Sequence, residues 1–124
     1  VQLPGVSHDM VGEYERAALV FVPSRYESFG LAAAEAMASG RAVLAAEDCI
    51  GVAALIDPDV NGCLVPGGKH RIAAFAEGLA RLMSDATLRA RLGASAPAAV
   101  RRFSAENAVL AWERFLKQYE RGNS

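Results

Sequence analysis

The chain has 124 residues, of which 52% are apolar and 22% charged, with a formal net charge of −1. That balance suits one soluble globular domain with an ordinary core and excludes a disordered or low-complexity chain. The longest apolar run falls far short of the roughly 20 residues of a membrane span. Cys49 and Cys63 are too few for a disulfide framework and lack zinc spacing, so they read as free thiols.

The small net charge hides an asymmetry. Residues 1–68 carry three arginines against nine acids, and residues 69–124 carry ten basic residues against five acids. The basic residues of the second part are dispersed, without interleaved aromatics, so they read as solvated helix faces and not as a nucleic-acid surface.

In chain order, residues 1–3 read as the end of a strand, followed by a turn at Pro4-Gly5. Val1 in place of a methionine reads as a chain that begins inside a longer protein. Ser7 is expected to cap a helix running to about Ala18, with Met10, Val11, Tyr14 and Ala17-Ala18 inward. His8 falls in its first turn and reads as an exposed histidine. Leu19-Val20-Phe21-Val22 reads as a short buried strand ended by Pro23, which has no ladder donor.

The stretch from Pro23 to Gly40 organises the rest. Gly30 marks a place where backbone can approach a ligand closely. Residues 31–37 are strong helix formers, and Gly40 suits the position just past a helix end. A strand, a polar loop and a helix N-terminus in succession make an anion site, because first-turn amides point outward. The helix dipole adds about 0.3–1 kcal/mol there. Glu27 precedes the glycine, and Glu35 lies about 6 Å along the helix from Leu31. Like charges keep both acids off a phosphate, so hydroxyl groups are their expected partners. Ser24 and Ser28 have no apparent histidine–acid pair, which argues against a serine nucleophile. Arg25 and Tyr26 are either substrate contacts or loop packing, and Phe29 reads as a packing anchor.

Residues 42–46 read as a strand buried on both faces. A short helix is expected over residues 53–56, turns over residues 57–62 and a last strand over residues 63–65. The remainder reads as helical. Ile72, Phe75, Leu79, Leu82 and Met83 recur at helical spacing. Ser84 or Asp85 is expected to cap a short helix bearing Leu88 and Leu92 that ends near Gly93. Residues 95–102 would form another, with Pro97 in its first turn. Ser104 would cap the final helix, striped by Val109, Trp112, Leu116 and Tyr119.

The two glutamates seven residues apart, with Phe29-Gly30-Leu31 between them and Glu35-Ala36-Met37-Ala38-Ser39-Gly40 after, closely resemble the motif of the family 4 glycosyltransferases. Pro23-Ser24 before the motif and Asn61-Gly62-Cys63-Leu64-Val65 after it add to the resemblance, which covers nearly the whole chain in the family's order. It implies a parallel, Rossmann-like α/β sheet of about four strands with helices, the second half of a GT-B C-terminal domain. Residues 1–124 would be a partial nucleotide-sugar-binding domain. Residues 1–68 supply alternating strands and helices with the donor motif, and residues 69–124 a helical part.

The resemblance also implies retaining transfer of a glycosyl group from a nucleotide diphosphate sugar to an acceptor hydroxyl, in polysaccharide or glycoconjugate synthesis. Glu27 would be the catalytic-site acid, holding sugar hydroxyls near the reacting carbon without acting as nucleophile. Ser28, Phe29, Gly30, Leu31 and Glu35 would bind the donor, with Glu35 on the ribose. No metal or other cofactor is expected. A glycan or lipid-linked acceptor would bind a missing N-terminal domain, so the segment alone would be inactive. The parent is expected in the cytoplasm, with the inner membrane face as an optional peripheral surface. The competing reading is a non-catalytic nucleotide-binding or self-associating α/β module.

Three positions depart from the family's pattern. Ala42 stands where proline is usual, Ile50 where a glycine is common, and Ala54 where a glutamate is common. Glu47 or Asp48 could take that acid's place in space. In the doubly wound strand order 3-2-1-4-5-6, the strand at residues 1–3 would also lack its native neighbours. Association or rearrangement at that sheet edge is therefore expected.

Overall fold

The computed structural model describes residues 2–122, with side chains to Tyr119. Among them, three parallel strands form one sheet in the order β1 (Val20–Phe21), β2 (Val43–Ala46), β3 (Cys63–Val65). Val20 pairs with Val43 and Phe21 with Leu44; Leu44, Ala45 and Ala46 pair with Cys63, Leu64 and Val65. The α/β class and parallel sheet follow the expectation, but with three strands where about four were expected. Val1 lies outside the described residues, and Gln2 and Leu3 form no strand, Leu3 being 92% exposed.

β2 is the hub. All four of its residues are buried, as its unbroken apolar run requires. Alternation along the strand divides the core in two. Val43 and Ala45 face α2 (Leu31–Ala38) and α3 (Ile50–Ala53), packing with Ala33, Ala36, Met37 and Val52. Leu44 and Ala46 face α4 (Arg71–Ser84), packing with Phe75 and Leu82. α5 (Ala86–Val100) serves both layers, giving Leu88 and Leu92 to one and Ala96 and Val100 to the other.

Several expected boundaries move, each for a local reason. α1 (Met10–Arg16) is capped by Asp9, whose carboxylate accepts from the Gly12 amide at 2.9 Å, and not by Ser7. Tyr14 is buried there, while Met10 and Val11 stay exposed. α3 begins at Ile50, before the expected residue 53. Residues 86–100 form one helix, not two. Gly93 does not end it, because this glycine is a packing contact: a Cβ there would overlap the carbonyl oxygen of Gly40. Pro97 lies inside the same helix. Asp85 caps it, accepting from the Leu88 amide at 2.8 Å.

α6 (Ala105–Gly122) starts at Ser104 as expected, with the Asn107 amide donating to the serine hydroxyl at 3.3 Å. Its stripe is not core. Val109, Trp112, Leu116 and Tyr119 are all more than half exposed. Among the described residues no helix is long and apolar enough to cross a membrane.

Candidate functional site

The stretch from Pro23 to Gly40 folds as a loop leaving the carboxyl end of β1 and entering α2. Gly30 is the residue before that helix and adopts φ 82°, ψ 56°, a left-handed conformation that glycine tolerates best. No side chain caps α2, so its first-turn amides lack the partner that most helix starts supply. The first backbone bond of the helix runs from the Ala34 amide to the Gly30 carbonyl at 3.0 Å. Leu31 is exposed at that tip, and Ser28 is exposed beside it. At the far end Gly40 takes φ 70°, just past the helix as expected.

Gly30 has Val52 of α3 as its close neighbour. A Cβ on Gly30 would stand 2.6 Å from Val52 Cγ2. Gly51 plays the matching part from the other side. A Cβ there would overlap the Glu27 carbonyl oxygen and lie 2.8 Å from the Ser28 carbonyl carbon. The first turn of α3 therefore forms a floor under the loop, close enough that only glycine fits at both contacts.

Among the described residues, each glutamate carboxylate has one hydrogen-bond partner. The Ser24 hydroxyl donates to Glu27 Oε1 at 2.8 Å, within the half-buried part of the loop. The Tyr14 hydroxyl donates to Glu35 Oε2 at 3.1 Å, reaching from α1 to α2. Burial raises the Tyr14 pKa, and the neighbouring Glu35 carboxylate raises it further. Glu35 is exposed and helps line a groove of about 350 Å³ with Phe29, Leu31, Val100, Arg101 and Phe103. Glu27 is not among that groove's walls. The two acids thus belong to one loop–helix unit but share no lining and no hydrogen-bond partner among the described residues.

Phe29 is a packing anchor, edge-on to Phe103 at 5.0 Å and 77°. Tyr26 is 84% exposed and does not pack over the loop. Asp48, after β2, is paired with Arg71. The Gly68 amide, donating to Asp48 Oδ2 at 3.0 Å, holds that carboxyl below its ordinary range, and Arg71 adds to the effect. Glu47 is exposed.

The sequence model of the family described as glycosyl transferases group 1 matches residues 2–99. The chain belongs to this family. The matched span holds the whole sheet, the Glu27–Glu35 unit and most of α5, and leaves α6 outside. The chain is similar to a D-inositol 3-phosphate glycosyltransferase of Xylanimonas cellulosilytica, 46% identical over 109 residues, covering 87% of this chain and 25% of that protein. Among solved structures, a sucrose-phosphate synthase from Thermosynechococcus elongatus superposes with a TM-score of 0.82 at 30% identity. That match covers 97% of this chain and 30% of the other. The C-terminal domain of a group 1 family glycosyl transferase from Francisella tularensis superposes with a TM-score of 0.65 at 33% identity, covering 81% of this chain and 50% of its own. The fold is that of GT-B glycosyltransferase domains. The chain spans about a quarter of the length of the D-inositol 3-phosphate glycosyltransferases it matches.

Sequence reasoning turns Tyr14 inward and places Ser24 beside the motif, but it assigns neither one its glutamate partner. Gly51 and Arg71 are the site-building residues that it misses, because their partners are neighbours only in space.

Proposed function

We infer that this group 1 chain supplies the donor side of a retaining, family 4 glycosyltransferase. The reaction moves a glycosyl group from a nucleotide diphosphate sugar to an acceptor hydroxyl, in polysaccharide or glycoconjugate synthesis. One observation carries the reading: an uncapped helix tip at Gly30–Leu31 lies in the chain between Glu27 and Glu35, whose carboxylates each accept from a protein hydroxyl. The first-turn amides of α2 and the helix dipole would hold the pyrophosphate. Glu35 would take ribose hydroxyls with the carboxylate oxygen that Tyr14 does not occupy. Glu27 would take hydroxyls of the sugar.

Charge grows on the departing diphosphate as the sugar becomes cation-like, and donors already in place stabilise that change without reorganising. Paired acids of a hydrolase protonate and attack; here both acids bind, and neither is a nucleophile. The acceptor, a glycan or a lipid-linked hydroxyl, would be bound by a further domain, and this chain alone would not turn over. The test is calorimetric titration with UDP, GDP and ADP and with UDP-glucose, GDP-mannose and ADP-glucose. Glu35→Ala should weaken nucleotide and nucleotide sugar alike, and Glu27→Ala the sugar adducts only. Failure of the wild-type chain to bind any of the six overturns the reading.

A further inference from the structure

Arg71 opens α4 and is 4% exposed, so a full positive charge sits out of water. Such a charge is costly unless it is paired and hydrogen-bonded. Its guanidinium meets that demand by reaching into two loops at once. Nη1 donates to Asp48 Oδ1, after β2. Nη2 donates to the Pro23 carbonyl at 3.0 Å and to the Ser24 carbonyl, both after β1. Asp48 Oδ2 in turn accepts from the Gly68 amide, after β3. The segments leaving the carboxyl ends of all three strands therefore meet at the Arg71–Asp48 pair. Its cationic plane also lies over Phe75, 5.0 Å from the ring centroid.

The network has an outlet. Ser24 gives its carbonyl to Arg71 and its hydroxyl to Glu27. A single residue thus carries the constraint imposed by Arg71 to the carboxylate read above as the sugar-binding group. Lysine could not reproduce it, because an ammonium lacks the planar fork that addresses a carboxylate and two carbonyls in fixed directions.

We propose that Arg71 is a positioning residue for the donor sugar: through Ser24 it sets the Glu27 carboxylate, and with Asp48 it ties that loop to the ends of β2 and β3. The proposal rests on the donor reading, and its test separates the two. Arg71→Lys and Ser24→Ala are compared with the wild-type chain by calorimetry on the same six nucleotides and by amide hydrogen exchange. Arg71→Lys keeps the charge, and Ser24→Ala cuts the relay while leaving Arg71 in place, so loss of folding does not decide the outcome. Both variants should bind sugar adducts about tenfold more weakly, with less than about a twofold change for the bare nucleoside diphosphate. In Arg71→Lys, exchange over residues 23–28 should rise about tenfold while β2 and α2 keep their protection. Equal losses for sugar adduct and bare nucleotide, or unchanged exchange in the loop, overturn the proposal. If the wild-type chain binds none of the six, the donor reading fails, and the sugar-positioning role falls with it whatever the exchange shows.

Discussion

The Tyr14 hydroxyl donates to Glu35 Oε2 across 3.1 Å, joining α1 to α2. Tyr14 is buried and Glu35 exposed, so the core holds the tyrosine and the tyrosine holds the acid. A carboxylate accepts several hydrogen bonds, and one fixed oxygen leaves the other oriented for a ligand hydroxyl. Tyr14→Phe keeps the ring and removes only this bond. It is predicted to weaken nucleoside diphosphate binding by about 0.5–1.5 kcal/mol, the usual net worth of one hydrogen bond. Calorimetric titration of both proteins measures the difference; equal affinities would show that Glu35 needs no such support.

The same pair makes stability depend on alkaline pH. The Tyr14 pKa is raised in the folded chain, so the fold retains a proton that the unfolded chain releases first. The stabilisation is complete below the ordinary tyrosine value, about 10, and is lost as pH rises through the higher folded value. Wild type should therefore lose urea resistance between about pH 9 and pH 11 more steeply than Tyr14→Phe. Parallel curves would remove Tyr14 from the account.

Asp48 gives the opposite sign. The Gly68 amide and then Arg71 lower its folded pKa, so the contribution is present above the ordinary aspartate value and lost as pH falls through the lowered one. Asp48→Asn is predicted to be less stable than wild type at neutral pH. The gap should narrow on acidification from about pH 6 to pH 3 as the wild-type carboxyl is neutralised. Urea midpoints across that range decide it, and a constant gap would mean that the charge is not what matters.

What could be read in advance was local. Gly30 and Gly40 bracket α2 because each occupies a left-handed conformation at a helix end, and such positions leave glycine in the sequence. β2 was legible because a strand covered on both faces must be apolar throughout. The Arg71 clamp was not legible: its partners at Pro23 and Ser24 lie 48 and 47 residues away, and neither carbonyl has a side-chain signature. Propensity makes Gly93 a helix end and confines Pro97 to the first turn of a new helix, because both are penalised in a helix interior. Packing of α5 against the end of α2 overrode that penalty. Periodicity placed Val109 and Trp112 on one face of α6, but a periodic pattern says nothing about whether another surface covers it.

Gly51 tests the floor beneath the motif loop. A Cβ there meets the backbone of Glu27 and Ser28, so no change of rotamer can relieve the overlap. Either α3 or the loop must shift, at a cost of about 1–3 kcal/mol for overpacking. Gly51→Ala is predicted to lower the unfolding midpoint and also to weaken binding of sugar nucleotides, because the displaced backbone carries Glu27. Thermal unfolding combined with titration checks both. Wild-type values in each would mean that α3 does not support the loop.

Gly93→Ala sets two effects of opposite sign against each other. Inside a helix, alanine is intrinsically better than glycine by about 1 kcal/mol. Here the added Cβ would overlap the Gly40 carbonyl oxygen, a backbone atom held at the end of α2 by the bond from the Gly40 amide to the Met37 carbonyl at 3.0 Å. Overpacking at about 1–3 kcal/mol exceeds the propensity gain over most of its range, so the variant should be net destabilised by up to about 2 kcal/mol. The strain should appear first where α5 and α2 meet, as faster amide exchange around residues 39–42 and 92–97 with α4 unaffected. A stabilised Gly93→Ala chain would mean that the helices can separate freely, and the close α2–α5 crossing would no longer explain why a glycine stands in the middle of a helix.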